Sequence, residues 1–140
     1  MHNLIPISPL GNTELTSKEF GPYTISEVTA YSLASYSLRK GSENDAKKKL
    51  EQFIGSSLPD VMNSNFGDIS SFWIGPSQWL IEAPIEIHED LARELSEVSL
   101  GKASITEQTD AWCRFDLKGS ELAKPLSLLC NVDVSSFKGG

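Results

Sequence analysis

The chain has 140 residues, of which 39% are hydrophobic and 22% charged, and its formal net charge at pH 7 is −7. That length suits one domain around one core, and that composition excludes a disordered chain or a fibrous repeat. The negative balance argues against a nucleic-acid partner, whose phosphates call for clustered Lys and Arg, and no apolar run approaches the roughly 20 residues that span a bilayer.

In chain order, Met1 to Pro22 carries Pro6, Pro9, Gly11, Gly21 and Pro22 and reads as an extended N-terminal arm over residues 1–22, ahead of a single domain over residues 23–140. Thr24 to Arg39 is rich in Thr, Val, Ile and Tyr. Ala30, Ala34, Tyr36 and Leu38 share one parity there, which predicts one half-buried strand. Ser42 followed by Asp45 resembles a capping box, Ala46, Leu50, Phe53 and Ile54 form a helical stripe, and Gly55 is placed to end that helix. Ser56 to Ser71 reads as a surface loop pinned by Val61, Met62 and Phe66.

Phe72-Trp73-Ile74 and Trp79-Leu80-Ile81 flank Gly75-Pro76-Ser77-Gln78, where Gly and Pro suit the backbone angles of a tight turn, so a β-hairpin is predicted. Ile87, Leu91, Leu95 and Val98 recur at helical spacing, with His88, Glu89 and Asp90 as a polar first turn favoured by the helix dipole. A strand follows from Ala103. Between Ala111 and Leu117 the alternation places Ala111, Cys113, Phe115 and Leu117 toward a core and Arg114 and Asp116 away from it. Gly119-Ser120 opens a third predicted helix, with Leu122, Leu126, Leu129 and Cys130 on one stripe packing on that strand face and Pro125 kinking its first turns. Hairpins interleaved with helices give an α+β class with a mostly antiparallel sheet.

The chemistry-bearing motifs are few. His88-Glu89 opens like a zinc-protease motif, but Ala92 stands where the second metal-binding His is needed. His2 lies in the arm, so a nucleophile would have His88 alone as its base, and neither a Gly-x-Ser-x-Gly elbow nor a glycine-rich phosphate cradle occurs. Lys47 to Lys49 reads as a solvated helix face. Cys113 and Cys130 suit neither a disulfide framework nor a zinc cluster and are expected to be reduced, buried and apolar in character. Asp110 is placed to cap a strand entry, and Trp73, Trp79 and Trp112 are expected in the core, with a subunit interface as their next use. Met1 to Leu10 lacks the regions of a signal peptide, so a cytoplasmic location is expected.

Three ordered blocks carry a family resemblance. The run from Trp73 to Pro84 resembles a W-x-G-P-x-x-W-L segment, with Trp73, Gly75, Pro76 and Trp79 in place, and Ser104 to Trp112 is similar to an S-x-T-x-Q-S-D-A-W block that includes Asp110 and Trp112. Leu117-Lys118-Gly119, Leu129-Cys130 and Val132-Asp133 continue the pattern, and Glu27-Val28-Thr29 fits an earlier, weaker block. These are features of the gamma subunits of heterotetrameric sarcosine oxidase, and the resemblance covers roughly Ile25 to Phe137. The chain departs from the pattern at Ser120, Asn131 and Pro125.

The resemblance implies a fold similar to the tetrahydrofolate-binding domain of the glycine cleavage T-protein. It also implies a structural, assembly role in a complex that oxidatively demethylates sarcosine to glycine, with hydrogen peroxide and formaldehyde or methylene-tetrahydrofolate as further products. FAD, FMN, NAD, tetrahydrofolate and zinc are then expected in the other subunits and none in this chain, with the large alpha subunit as chief partner. The family runs on past Gly140, so a subunit lacking its C-terminal portion is expected. Two other readings stay open: a stand-alone folate-binding domain, in which Trp79 or Trp112 stacks on the pterin and Asp110 or Glu82 holds it, and an interaction module unrelated to sarcosine.

Overall fold

The structure, a computed structural model, describes residues 5, 7–131 and 133–134. Its elements are β1 (Ser17–Phe20), β2 (Tyr23–Val28), β3 (Tyr31–Leu38), α1 (Glu43–Ile54), β4 (Ser64–Asn65), β5 (Ser70–Gly75) and β6 (Gln78–Pro84), followed by α2 (Leu91–Ser99), β7 (Ala103–Glu107), a 3₁₀ turn at Thr109–Ala111, β8 (Arg114–Gly119) and α3 (Ala123–Leu129). The class is α+β, and every strand pairing is antiparallel. Where length alone leads to one core, the chain divides into two compact units, one of residues 30–112 and one of residues 1–29 with 113–140.

The unit of residues 30–112 holds a five-stranded sheet in the order β4-β5-β6-β3-β7. Ala34 and Tyr36 lie opposite Ile81 and Trp79 in the β3–β6 register, so these four share one sheet face. Against that face pack Ala46, Leu50 and Ile54 of α1 and Leu91 and Leu95 of α2, the same stripes that the helical spacing marks. Each fully buried leucine contributes ~1.5 to 3 kcal/mol by transfer from water. Tyr36 is fully buried, its hydroxyl donates to the Ala46 carbonyl at 3.1 Å, and burial pushes its pKa up to about 12.

Several local expectations are altered in this unit. The single strand expected from Thr24 to Arg39 is two strands in two different sheets, interrupted at the exposed pair Thr29 and Ala30. Ser42 makes no side-chain cap; the Glu43 carboxylate instead accepts the Gly41 N–H at 2.8 Å. Gly55 does end α1, in the left-handed conformation that its missing Cβ permits. In the 56–71 segment, Val61, Met62 and Phe66 are exposed, while Leu58 and Ile69 enter the core and Ser64–Asn65 adds a short strand. His88, Glu89 and Asp90 precede α2 instead of forming its first turn, and Ile87 is exposed.

The other unit holds a three-stranded sheet in the order β1-β2-β8. Strand β1 lies within the segment expected to be an extended arm, because Gly21 and Pro22 turn it back onto β2. Ahead of it, residues 8–16 are tied to the sheet at Glu27, through its carboxylate and through its own N–H, which donates to the Thr16 carbonyl at 2.9 Å. Glu27, 4% exposed, accepts the Leu10 N–H at 2.9 Å and the Thr16 N–H at 2.5 Å. Burial pushes the Glu27 carboxyl up, but these backbone donors and the hydroxyls of Ser8 and Thr16 outweigh it and hold the group below the usual carboxylate range.

Of the strand face expected over Ala111 to Leu117, Leu117 alone is half-buried. Ala111 belongs to the 3₁₀ turn, Cys113 and Phe115 are exposed, and Arg114 and Asp116 are the half-buried pair, joined at 3.1 Å. α3 begins at Ala123, not at Gly119, and has no fully buried residue; Leu122 and Leu126 are half-buried, but Leu129 is 79% exposed and Cys130 is also exposed, so these two do not take the packed places expected of them. Pro125 is the third helical residue, where the amide has no intrahelical acceptor in any case, so it removes no hydrogen bond.

Candidate functional site

The first motif block is the β5–β6 hairpin. Trp73 and Trp79 are register partners across it, with a bulge between Trp73 and Gly75, and Gly75 pairs with Gln78. Trp79 is 7% exposed and its indole N–H donates to the Pro59 carbonyl at 3.0 Å, while Trp73 is half-buried against the same core. The left-handed residue of the turn is Ser77, at φ 59°, and not Gly75. The hairpin is therefore a core element whose aromatic faces are occupied by the protein itself.

The second block is built differently. β7 leads into a 3₁₀ turn fastened to β3 at three points: the Gln108 N–H donates to the Leu33 carbonyl at 2.9 Å, the Leu33 N–H donates to Thr109 Oγ1 at 2.9 Å, and Thr109 Oγ1 in turn lies 3.5 Å from that carbonyl. The Thr109 N–H also donates to Glu107 Oε1 at 2.7 Å. Thr109, not Asp110, does the anchoring, and the polar run Glu107-Gln108-Thr109-Asp110 is the sequence signal that could have pointed to it. Asp110 is exposed. Trp112, expected in the core, is 62% exposed, with extended backbone and its indole N–H donating to Gln108 Oε1 at 3.2 Å.

The residues named for a folate cradle differ in exposure. Trp79 is enclosed, and Glu82, buried at 6% exposure, faces the opposite side of β6 from it. Asp110 and Trp112 stand on the exposed turn. Two grooves flank α1, one of about 380 Å³ lined by Lys48, Glu51, Gln52, Gly55, Ser56 and Ser57, the other of about 470 Å³ lined by Lys49, Gln52, Phe53, Glu97, Val98 and Leu100. Neither is lined by a residue proposed for a pterin.

His88 approaches Glu94 at 2.7 Å from Nδ1 to Oε2, and its ring meets Phe53 edge-on with centroids 6.0 Å apart. Its carbonyl accepts the buried Ser32 hydroxyl at 2.6 Å, which fixes the loop ahead of α2. Among the described residues, no group of three or more His, Cys, Asp and Glu could hold a metal ion, and no helix is long and apolar enough to cross a membrane.

Gly119 has a clear geometric role. It lies at φ 149°, opposite Tyr23 in the β2–β8 register, and a Cβ built there would stand 2.4 Å from the Pro22 carbonyl oxygen. Cys130, the last of the motif residues, follows α3 with its thiol donating to the Leu126 carbonyl at 3.4 Å.

No family model and no curated protein matches the sequence. A chain in the solved structure of the heterotetrameric sarcosine oxidase from Corynebacterium sp. U-96, in complex with pyrrole 2-carboxylate, is similar to this one at a TM-score of 0.66 and 21% identity. The match covers 79% of this chain and 57% of that one, so this chain spans little more than half the length of its structural relative. The chain thus has the fold of a chain of a heterotetrameric sarcosine oxidase.

Proposed function

We propose that this protein is a non-catalytic assembly subunit, of the gamma type, of a heterotetrameric sarcosine oxidase. The observation that carries the reading is the shared fold over 79% of the chain. The motif blocks fall in with it: Trp73 and Trp79 are register partners in a hairpin, Trp112 leaves a 3₁₀ turn, and Gly119 meets the close approach of Pro22, each of them a place in the fold. In this reading the flavin, nicotinamide, folate and zinc sites belong to the other subunits, sarcosine is oxidised there, and the assembly is cytoplasmic.

The test begins with the purified chain. Its visible spectrum should lack flavin bands, and it should produce no peroxide from sarcosine. Mixed with the remaining oxidase subunits of the same source, it should co-elute with them in size exclusion. A yellow, active isolated chain, or a chain that fails to co-elute, would overturn the proposal.

A further inference from the structure

An exposed tryptophan on a mobile loop carries little meaning, but an exposed tryptophan on a braced turn is a different object. Trp112 leaves the 3₁₀ turn with 62% of its surface in solvent, yet the turn behind it is fastened to β3 by Gln108 and Thr109. Its indole N–H is held by Gln108 Oε1, whose own backbone N–H is one of those fastenings. The ring is thus held in place before any partner arrives, which lowers the ordering cost of association. Large aromatics with few rotatable bonds, presented this way, are the residues that dominate subunit interfaces.

The surroundings give the partner's charge. From Ala103 to Cys113 the chain carries two carboxylates, Glu107 and Asp110, and no Lys or Arg. Asp110 is exposed on the 3₁₀ turn that the tryptophan leaves, and Glu107 is exposed at the end of β7, its Oε1 accepting the Thr109 N–H. An apolar anchor beside acidic groups is complementary to an apolar pocket rimmed by Lys or Arg.

We infer that Trp112 is the central anchor of this chain's subunit interface, inserting into an apolar, cation-rimmed pocket on a neighbouring subunit, with Asp110 as its charged flank. The inference rests on the assembly-subunit reading and goes beyond it by naming the surface. The test measures affinity for the remaining oxidase subunits of the same source, with the chain immobilised, for wild type, Trp112→Ala, Asp110→Lys and Phe66→Ala. Phe66 is a control aromatic, 71% exposed on a different part of the same unit. Circular dichroism and melting temperature check that each variant stays folded.

Trp112→Ala should weaken binding by about 30-fold or more, as a central anchor does. Asp110→Lys should weaken it in low salt, with the deficit shrinking as salt screens the new repulsion. Phe66→Ala should bind like wild type. If wild type binds and Trp112→Ala binds equally well, or if Phe66→Ala is the more damaging change, the assignment of Trp112 fails while the subunit reading stands. If wild type itself does not bind, both fail. A concentration-dependent dimer of the isolated chain that Trp112→Ala abolishes, or quenching of Trp112 emission by tetrahydrofolate that the same substitution removes, would assign the aromatic to a second copy or to a ligand and overturn the proposal.

Discussion

Gly119→Ala should destabilise the three-stranded sheet by an amount the geometry sets. The added Cβ would stand 2.4 Å from the Pro22 carbonyl oxygen, 2.8 Å from Tyr23 Cδ1 and 3.1 Å from Tyr23 Cα. Two of these neighbours are backbone, and β2 is held between β1 and β8, so they cannot yield as a flexible side chain would. A backbone conformation that L residues rarely adopt costs ~1 to 3 kcal/mol, and forced overpacking costs ~1 to 3 kcal/mol more. β8 is an edge strand that can shift outward, which favours the lower end of a total of ~2 to 6 kcal/mol.

Because the chain has two compact units, a global melt can miss a local loss, and the better assay is hydrogen exchange resolved by segment. The amides of β2 and β8 should exchange faster by roughly 30-fold or more, which corresponds to ~2 kcal/mol, while those of β3 and β6 stay protected. Gly67→Ala is the control. A Cβ there meets only the Ile69 carbonyl oxygen, at an ordinary 3.6 Å, and should change stability by less than ~0.5 kcal/mol. Unchanged exchange in β2 and β8 of Gly119→Ala would refute the steric argument.

Ser77→Gly should stabilise the hairpin by ~1 kcal/mol, since Ser77 holds a left-handed backbone that glycine adopts freely; a lower melting temperature would contradict the turn geometry. Leu50→Ala should cost ~2 to 5 kcal/mol, but Leu129→Ala less than ~0.5 kcal/mol, because the first side chain is fully buried and the second is 79% exposed; urea titrations giving equal losses would show that Leu129 is packed after all. Glu27 has a folded pKa held below its unfolded value, so its contribution to stability is present above about pH 4.5 and is lost as pH falls through the folded pKa. Proteolysis of residues 8–16 should therefore rise in acid, and at neutral pH in Glu27→Gln; no difference between wild type and Glu27→Gln at neutral pH would show that something else holds the segment.

What the sequence determined by itself was whatever repeats at short range. The stripe Ala46, Leu50 and Ile54, the stripe Leu91 and Leu95, and the hairpin across Trp73 and Trp79 were legible because each element presents its own buried face at its own period. Gly55 was legible because a helix end constrains a single residue. Alternation over residues 113–117 was also visible, but it defines two faces of a strand and does not say which is covered. That depends on what lies over each residue, and even within one face the two differ: Glu27 and Phe115 are register partners on the same side of the sheet, yet Glu27 is enclosed by the segment before β1 while Phe115 is exposed.

Tertiary structure alone decided the rest, because the interactions responsible join residues far apart in sequence. Residues 24–28 pair with 114–119, whereas residues 31–38 pair with β6 and β7, so one continuous strand-forming stretch serves two sheets. The need for glycine at position 119 arises from the approach of Pro22, nearly a hundred residues earlier. Of the three tryptophans, Trp79 is enclosed because Pro59 reaches back to accept its N–H, whereas Trp112 faces solvent because the bonds of Thr109 and Gln108 to Leu33 turn the chain away from the core. Local pattern fixes which residues can share a face; only long-range pairing and anchoring fix which face meets water.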